Sequence, residues 1–115
     1  MAIDRGALDK LRALVGGEEA DLLELVVSFL EEGPSIMQDL WASGRASDLA
    51  GARRAAHSLK SNARDMGAAE LSQICAEVEA RCASGEQIDL SKIDNAQRAF
   101  DAAVTELRKI FNLGG

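Results

Sequence analysis

The chain is predicted to be all-α: an up-and-down antiparallel four-helix bundle with an extra N-terminal capping helix. Three observations carry that expectation. Apolar residues recur at helical spacing along most of the 115 residues, and no strand-like alternation competes with them. Ala, Leu, Glu and Arg are abundant and aromatic residues make up only 3 %, a mix that favours helices packed through small and aliphatic side chains. The stretches between periodic segments are short, so consecutive helices should lie as antiparallel neighbours.

The first helix is expected from about Asp4 to Val15, with Leu8, Leu11 and Val15 on one side and Gly16-Gly17 as its stop. The second is expected from about Glu18 to Glu32. Its acidic first turn, Glu18, Glu19 and Asp21, suits the positive end of the helix dipole. Leu22, Leu25, Val26 and Phe29 form one stripe, and Leu23, Val27 and Leu30 form a second beside it. That face is wider than one core contact needs. Gly33-Pro34 breaks or kinks the pattern, and Pro34, the only proline, suits the first position of a third helix. The second and third helices would make one kinked arm. The third carries Met37, Leu40 and Trp41 and stops near Gly44; Met37 and Trp41 read as core filler, with a partly exposed contact as the alternative.

Ser47 is the expected N-cap of a fourth helix that runs to about Met66 and is closed by Gly67. The fifth, about Ala68 to Ala83, has a stripe of Leu71, Ile74, Cys75, Val78 and Cys82 and ends at Ser84-Gly85. The sixth, about Leu90 to Phe111, has a seam of Ile93, Ala96, Gln97, Phe100, Val104, Leu107 and Ile110. The fourth, fifth and sixth helices complete the bundle.

Length and composition bound the function. The chain is long enough for one compact domain, residues 1–115, and apolar enough to fold. A net charge of −6 argues against nucleic acid, which calls for a broad basic surface. No apolar run is long enough to span a bilayer, and the N-terminal residues lack the regions of a signal peptide. A cytoplasmic location is expected. Cys75 and Cys82 would lie two turns apart on one helix, roughly 10 Å along its axis, too far for a disulfide. With no second Cys or His pair to complete a zinc site, they read as buried thiols in a reducing compartment. No metal site is expected in the chain itself.

The only histidine, His57, lies in Ala56-His57-Ser58-Leu59-Lys60-Ser61-Asn62. On a wheel of about 100° per residue, Arg64 and Arg53 fall roughly 20° and 40° to one side of it, and Ser61 about 40° to the other. Arg54 and Lys60 fall about 60° away on opposite sides. Ala52, Ala55, Leu59, Ala63 and Met66 occupy the far face. His57 is therefore at the middle of the polar face of an amphipathic helix, which excludes a core histidine. A lone surface histidine is most often incidental. Here cations gather round the ring although the chain is acidic, and an apolar seam anchors the opposite face. Nearby positive charge disfavours imidazolium and keeps the ring neutral. A neutral imidazole has a lone pair that can attack phosphorus. Lys60, with Arg64, is placed to neutralise the phosphoryl group that results. Small Ser61 leaves room for a partner beside the ring.

These residues resemble a known signature. His57-Ser58-Leu59-Lys60-Ser61 with Gly67 is similar to that of histidine-containing phosphotransfer (HPt) domains: His, any residue, Leu, Lys, Gly, then a second Gly six residues on. Leu25 to Glu32 followed by Pro34, Ala55-Ala56 before the histidine and Gly67-Ala68 after the helix extend the likeness over roughly residues 5–111. The resemblance implies a phosphorelay intermediate in two-component signalling. Such a domain carries a phosphoryl group between a sensor histidine kinase or a receiver aspartate and another receiver domain. It implies His57 Nε2 as phosphoacceptor, Lys60 as phosphate stabiliser and Gly67 as the turn after the helix. It also implies monomers in the usual case, no autokinase activity and no cofactor of the chain's own; the Mg²⁺ belongs to the partner receiver. Ser61 departs from the family's Gly, with slightly tighter access expected. In related domains of chemotaxis kinases a glutamate at the spacing of Glu79 hydrogen-bonds Nδ1 of the histidine. That bond would leave Nε2 free, raise the ring's basicity and oppose the effect of the cations; the other reading of Glu79 is a solvated boundary residue.

A basic face on an acidic protein suits docking to the acidic pocket of a receiver domain. Arg53 and Arg54 are the expected docking cations. Leu23, Val27 and Leu30 are candidates for the adhesive part, although packing against the first helix explains at least two of the three slightly better. Two other functions fit the same residues. One is a helical adaptor that regulates a kinase or receiver without being phosphorylated. The other is the phosphoacceptor domain of a chemotaxis-type kinase, although the Met1 start and Leu-Gly-Gly end suggest a free-standing protein.

Overall fold

The computed structural model describes residues 2–114 and has five helices among them: α1 (Arg5–Leu14), α2 (Glu19–Arg45), α3 (Leu49–Asp65), α4 (Ala69–Ala83) and α5 (Leu90–Ile110). Three aspartates decide where helices begin. Asp4 accepts from the Gly6 N–H at 2.9 Å, Asp48 from the Gly51 N–H at 3.0 Å and Asp89 from the Ser91 N–H at 2.9 Å. Each satisfies an N–H that its helix leaves unpaired. α2, α3, α4 and α5 form the bundle: α3 lies between α2 and α4, α5 packs on α4, and α2 closes the ring against α5. α1 leans on α2 and α3. No helix of the described residues is long and apolar enough to cross a membrane.

The expected break at Gly33-Pro34 does not occur. α2 is one helix of 27 residues, roughly 40 Å long, in a molecule whose longest dimension is 42 Å. Pro34 does cost α2 the hydrogen bond its N–H would give to the Leu30 carbonyl. Two things allow it. Gly33 has no Cβ to meet the proline ring, which is the usual reason the residue before proline leaves the helical region. The same absent Cβ lets the Phe100 ring of α5 press against the backbone: a Cβ at Gly33 would lie 2.6 Å from Phe100 Cε1. Gly44 likewise admits Ile93, and the helix ends one residue later, at Arg45, near the expected stop. The stripe Gly33, Met37, Leu40 and Gly44 is buried, so α2 continues through the proline with this face packed in the core and Gly33 and Gly44 against α5.

Ser47 is not the N-cap of α3. It ends α2 in the left-handed region, φ 54°, with its N–H on the Gly44 carbonyl, and the capping carboxylate is that of Asp48 one residue later. Gly67 closes α3 as expected. Its φ of 79° is open to glycine at no cost, and a side chain there would collide with the Asp4 backbone. The Gly67 carbonyl accepts from the Asp4 N–H at 2.8 Å, and Ile3 is buried in the core. The N-terminal segment is thus pinned across the end of the bundle. Met37 is core, and Trp41 is half-buried, its indole N–H donating to Gln97 at 3.0 Å with Arg45 over its ring.

Candidate functional site

The buried face of α3 is almost all alanine: Ala52, Ala55, Ala56 and Ala63, with Leu59. Short side chains bring α3 close to α4, its most extensive neighbour. The polar edges of the two helices therefore meet within hydrogen-bond reach. His57 sits on that edge, its side chain 61 % exposed, and its Nδ1 lies 2.7 Å from Glu79 Oε2. The other oxygen, Oε1, accepts from Lys60 Nζ at 2.5 Å. One carboxylate, 18 % exposed, thus spans two α3 residues one turn apart. Two turns earlier on α4, the Ser72 hydroxyl donates to the Lys60 carbonyl at 3.1 Å.

The hydrogen bond from Lys60 holds the Glu79 carboxyl below its ordinary range; His57 adds to this, and partial desolvation opposes it. An ionised carboxylate can only accept, so the proton of the 2.7 Å contact belongs to Nδ1. In the neutral ring the lone pair is then on Nε2, which has no hydrogen-bond partner among the described residues. One turn before Glu79, burial first and the Glu79 charge second push the Cys75 thiol up to about 12. It stays protonated and supplies no nucleophile. Cys75 and Cys82 are both free and buried.

Arg53, Arg54 and Arg64 are exposed on the same face of α3, and among the described residues none forms an ion pair. Arg53 lies on the α4 side, where its charge reaches Cys82. Arg54 lies on the α2 side, in a groove with Asp39 and Asp48. Ser61 is half-buried and leaves the ring uncovered. Gly67 is buried beneath Asp4 and belongs to the turn, away from any docking face. The second leucine stripe of α2 does not stand out as a patch. Leu30 packs on the core and Leu23 and Val27 are half-buried, whereas Leu25 is 37 % exposed. Ser72 carried no signal in the sequence, because a hydroxyl aimed at a backbone carbonyl has no characteristic spacing.

Comparison with known proteins bears on the fold and the family. The structure superposes on the crystal structure of histidine-containing phosphotransfer protein B (HptB) from Pseudomonas aeruginosa PAO1 with a TM-score of 0.87, covering 99 % of this chain and 97 % of that one. At 24 % sequence identity the likeness is one of fold. A search of curated proteins gave no match. The family model of the Hpt domain matches residues 24–110, most of the chain and all of α3 and α4. The chain belongs to the Hpt domain family.

Proposed function

We propose that the protein is a phosphocarrier of a two-component phosphorelay, with His57 Nε2 as its phosphoacceptor. The observation that supports this best is the bond from Nδ1 to an ionised Glu79 carboxylate, on a ring whose other nitrogen is open to solvent. In the forward step the Nε2 lone pair forms a bond to phosphorus. The bond from phosphorus to the donor's oxygen breaks, and a receiver donor leaves as its aspartate carboxylate. The Nδ1 proton stays where it is, and the cationic ring faces Glu79. In the return step a receiver carboxylate attacks phosphorus and the N–P electron pair goes back to Nε2. No proton has to enter or leave in either direction.

Lys60 sits one turn from the ring, joined to it through Glu79, and is the cation placed to bind phosphoryl oxygens. Arg64 adds positive charge beyond it, and Arg53 and Arg54 steer an acidic partner to the face. Partners on this reading are a sensor histidine kinase and response-regulator receiver domains, and Mg²⁺ enters with the receiver. All the groups invoked come from one chain, so a monomer suffices.

The test is phosphotransfer from a panel of phosphorylated kinases and receiver domains to wild-type protein and to His57→Gln. Acid-labile, alkali-stable label on the wild type and none on the variant is the expected result. If His57→Gln keeps every regulatory effect and neither protein takes label, the protein is an adaptor and the carrier reading falls.

A further inference from the structure

The flank of His57 toward α4 is closed by Glu79 and Lys60. On the flank toward α2 a groove opens between α1, α2 and α3, about 240 Å³ in volume. Its walls include Leu11, Leu25, Phe29 and Met66, and Glu32 and Asp65 stand at its edge. Leu25, in its wall, is 37 % exposed, and Leu14, one turn beyond Leu11 on α1, is 83 % exposed. Asp65 is about 80° round α3 from His57 and two turns along, roughly 12 Å. Half-buried Ser61 lies between them. Groove and phosphoacceptor face are therefore continuous.

The charges on this continuous face are segregated. Around the ring they are Lys60, paired with Glu79, and the unpaired arginines 53, 54 and 64, with Asp39 and Asp48 in the separate groove beside Arg54. Across the groove they are Glu32 and Asp65, which make no ion pair or side-chain hydrogen bond among the described residues. Unpaired charge of one sign around an apolar floor selects a partner with the opposite sign around an apolar patch. We infer that Glu32 and Asp65 are specificity residues: the groove binds an apolar surface of the receiver domain flanked by lysine or arginine, while that receiver's acidic pocket sits over His57. This rests on the carrier reading and adds to it a criterion for which receivers are served. The apolar floor serves any receiver, and the acidic rim discriminates among them.

The experiment loads His57 with phosphoramidate, which needs no protein docking, and follows transfer to a panel of purified receiver domains. Asp65→Lys, Glu32→Lys and Leu25→Ser are compared with Glu70→Lys, an exposed charge reversal on α4 outside this groove. Asp65→Lys puts a cation at the C-terminal end of α3, which the dipole favours, so folding is not threatened. The expected result is that Leu25→Ser raises KM for every receiver. The two charge reversals should raise KM about tenfold for the receivers that wild type serves best, with kcat within about twofold and the difference shrinking at high salt. KM values equal to those of Glu70→Lys for every receiver would overturn the inference. Failure of wild type to load on His57 would instead strike the carrier reading, and the inference with it.

Discussion

The two sides of the bundle are built on different principles. Where α2 meets α5 the interior of the seam is apolar and tight, with one side-chain hydrogen bond, Trp41 to Gln97, at its edge: Gly33 receives Phe100, Gly44 receives Ile93, and the Phe29 and Phe100 rings pack 5.6 Å apart at 51°. Where α3 meets α4 the apolar seam is mostly alanine against Leu71, Cys75 and Val78, and its exposed edge is fastened by Ser72 and Glu79. The first seam holds bulk and sets stability. The second brings backbones close and leaves placement of the reactive groups to hydrogen bonds. Stability and phosphotransfer should therefore respond to different substitutions.

The largest effect expected is on the α2–α5 side. Phe100→Ala removes a ring that is 4 % exposed and should cost about 3–5 kcal/mol, read by urea denaturation with Trp41 fluorescence. Label uptake per folded molecule should stay at the wild-type value. A drop in that rate parallel to the loss of stability would show that the two seams are not separate.

Glu79→Gln should do the reverse. It removes a charge-assisted hydrogen bond worth about 1.5–3 kcal/mol from the placement of His57 and Lys60, which slows transfer roughly tenfold or more. The amide keeps the volume but not the charge, so at neutral pH the unfolding midpoint should fall by the component the carboxylate contributes, and by less than in Phe100→Ala. The same carboxylate gives a pH signature. Its folded pKa lies below the ordinary value of 4.5, chiefly through Lys60. The stability it contributes is therefore complete above about 4.5 and is lost as pH falls through the folded value. Acid titration of wild type against Glu79→Gln should show that component in wild type alone; identical acid limbs would remove the ion pair from the account.

Gly33→Ala is smaller and tests the other side. Alanine gains about 1 kcal/mol of helix propensity over glycine. Against that, the new Cβ would fall 2.6 Å from a buried ring, and overpacking of this kind costs about 1–3 kcal/mol. A net loss of about 1 kcal/mol in thermal unfolding is expected. A gain would mean that Phe100 has room to retreat, and that the proline in α2 survives for reasons other than this contact.

How much of this was legible in the sequence depends on whether a feature is periodic. His57 and Lys60 fall on the polar face of one amphipathic helix and Glu79 borders the apolar stripe of the next, so their faces follow from the wheel. The continuity of α2 does not. Gly-Pro is locally a break, and only the Phe100 ring, some 66 residues away in the chain, makes it a packing device. The wide leucine face of α2 has the same difficulty. Its stripes show which residues share a side, but the angles of α1 and α3 decide that Leu25 is exposed and Leu30 is covered. Burial of Ile3 was invisible for the same reason, since it depends on the turn at Gly67.

Ser72 is the finest test of the contrast. It lies seven residues before Glu79 on α4, about 20° away on the wheel, so both fasten the same line of contact with α3. Ser72→Ala removes one donor to the Lys60 carbonyl. That carbonyl lies inside α3 and keeps its intrahelical partner, so no acceptor is orphaned and the stability loss should stay at about 1 kcal/mol or less. If the bond also sets the axial position of α4, the Glu79 oxygens shift against His57 and Lys60 together. Transfer should then slow about two- to threefold, within the weight of one neutral hydrogen bond. Ser72→Thr, which keeps the hydroxyl, should restore it, and the ¹⁵N shifts of His57 should show the Nδ1–H tautomer less populated in Ser72→Ala than in Ser72→Thr. Equal rates and equal tautomer populations in all three proteins would mean that the alanine seam alone sets the register, leaving Glu79 as the only fastening the reactive edge requires.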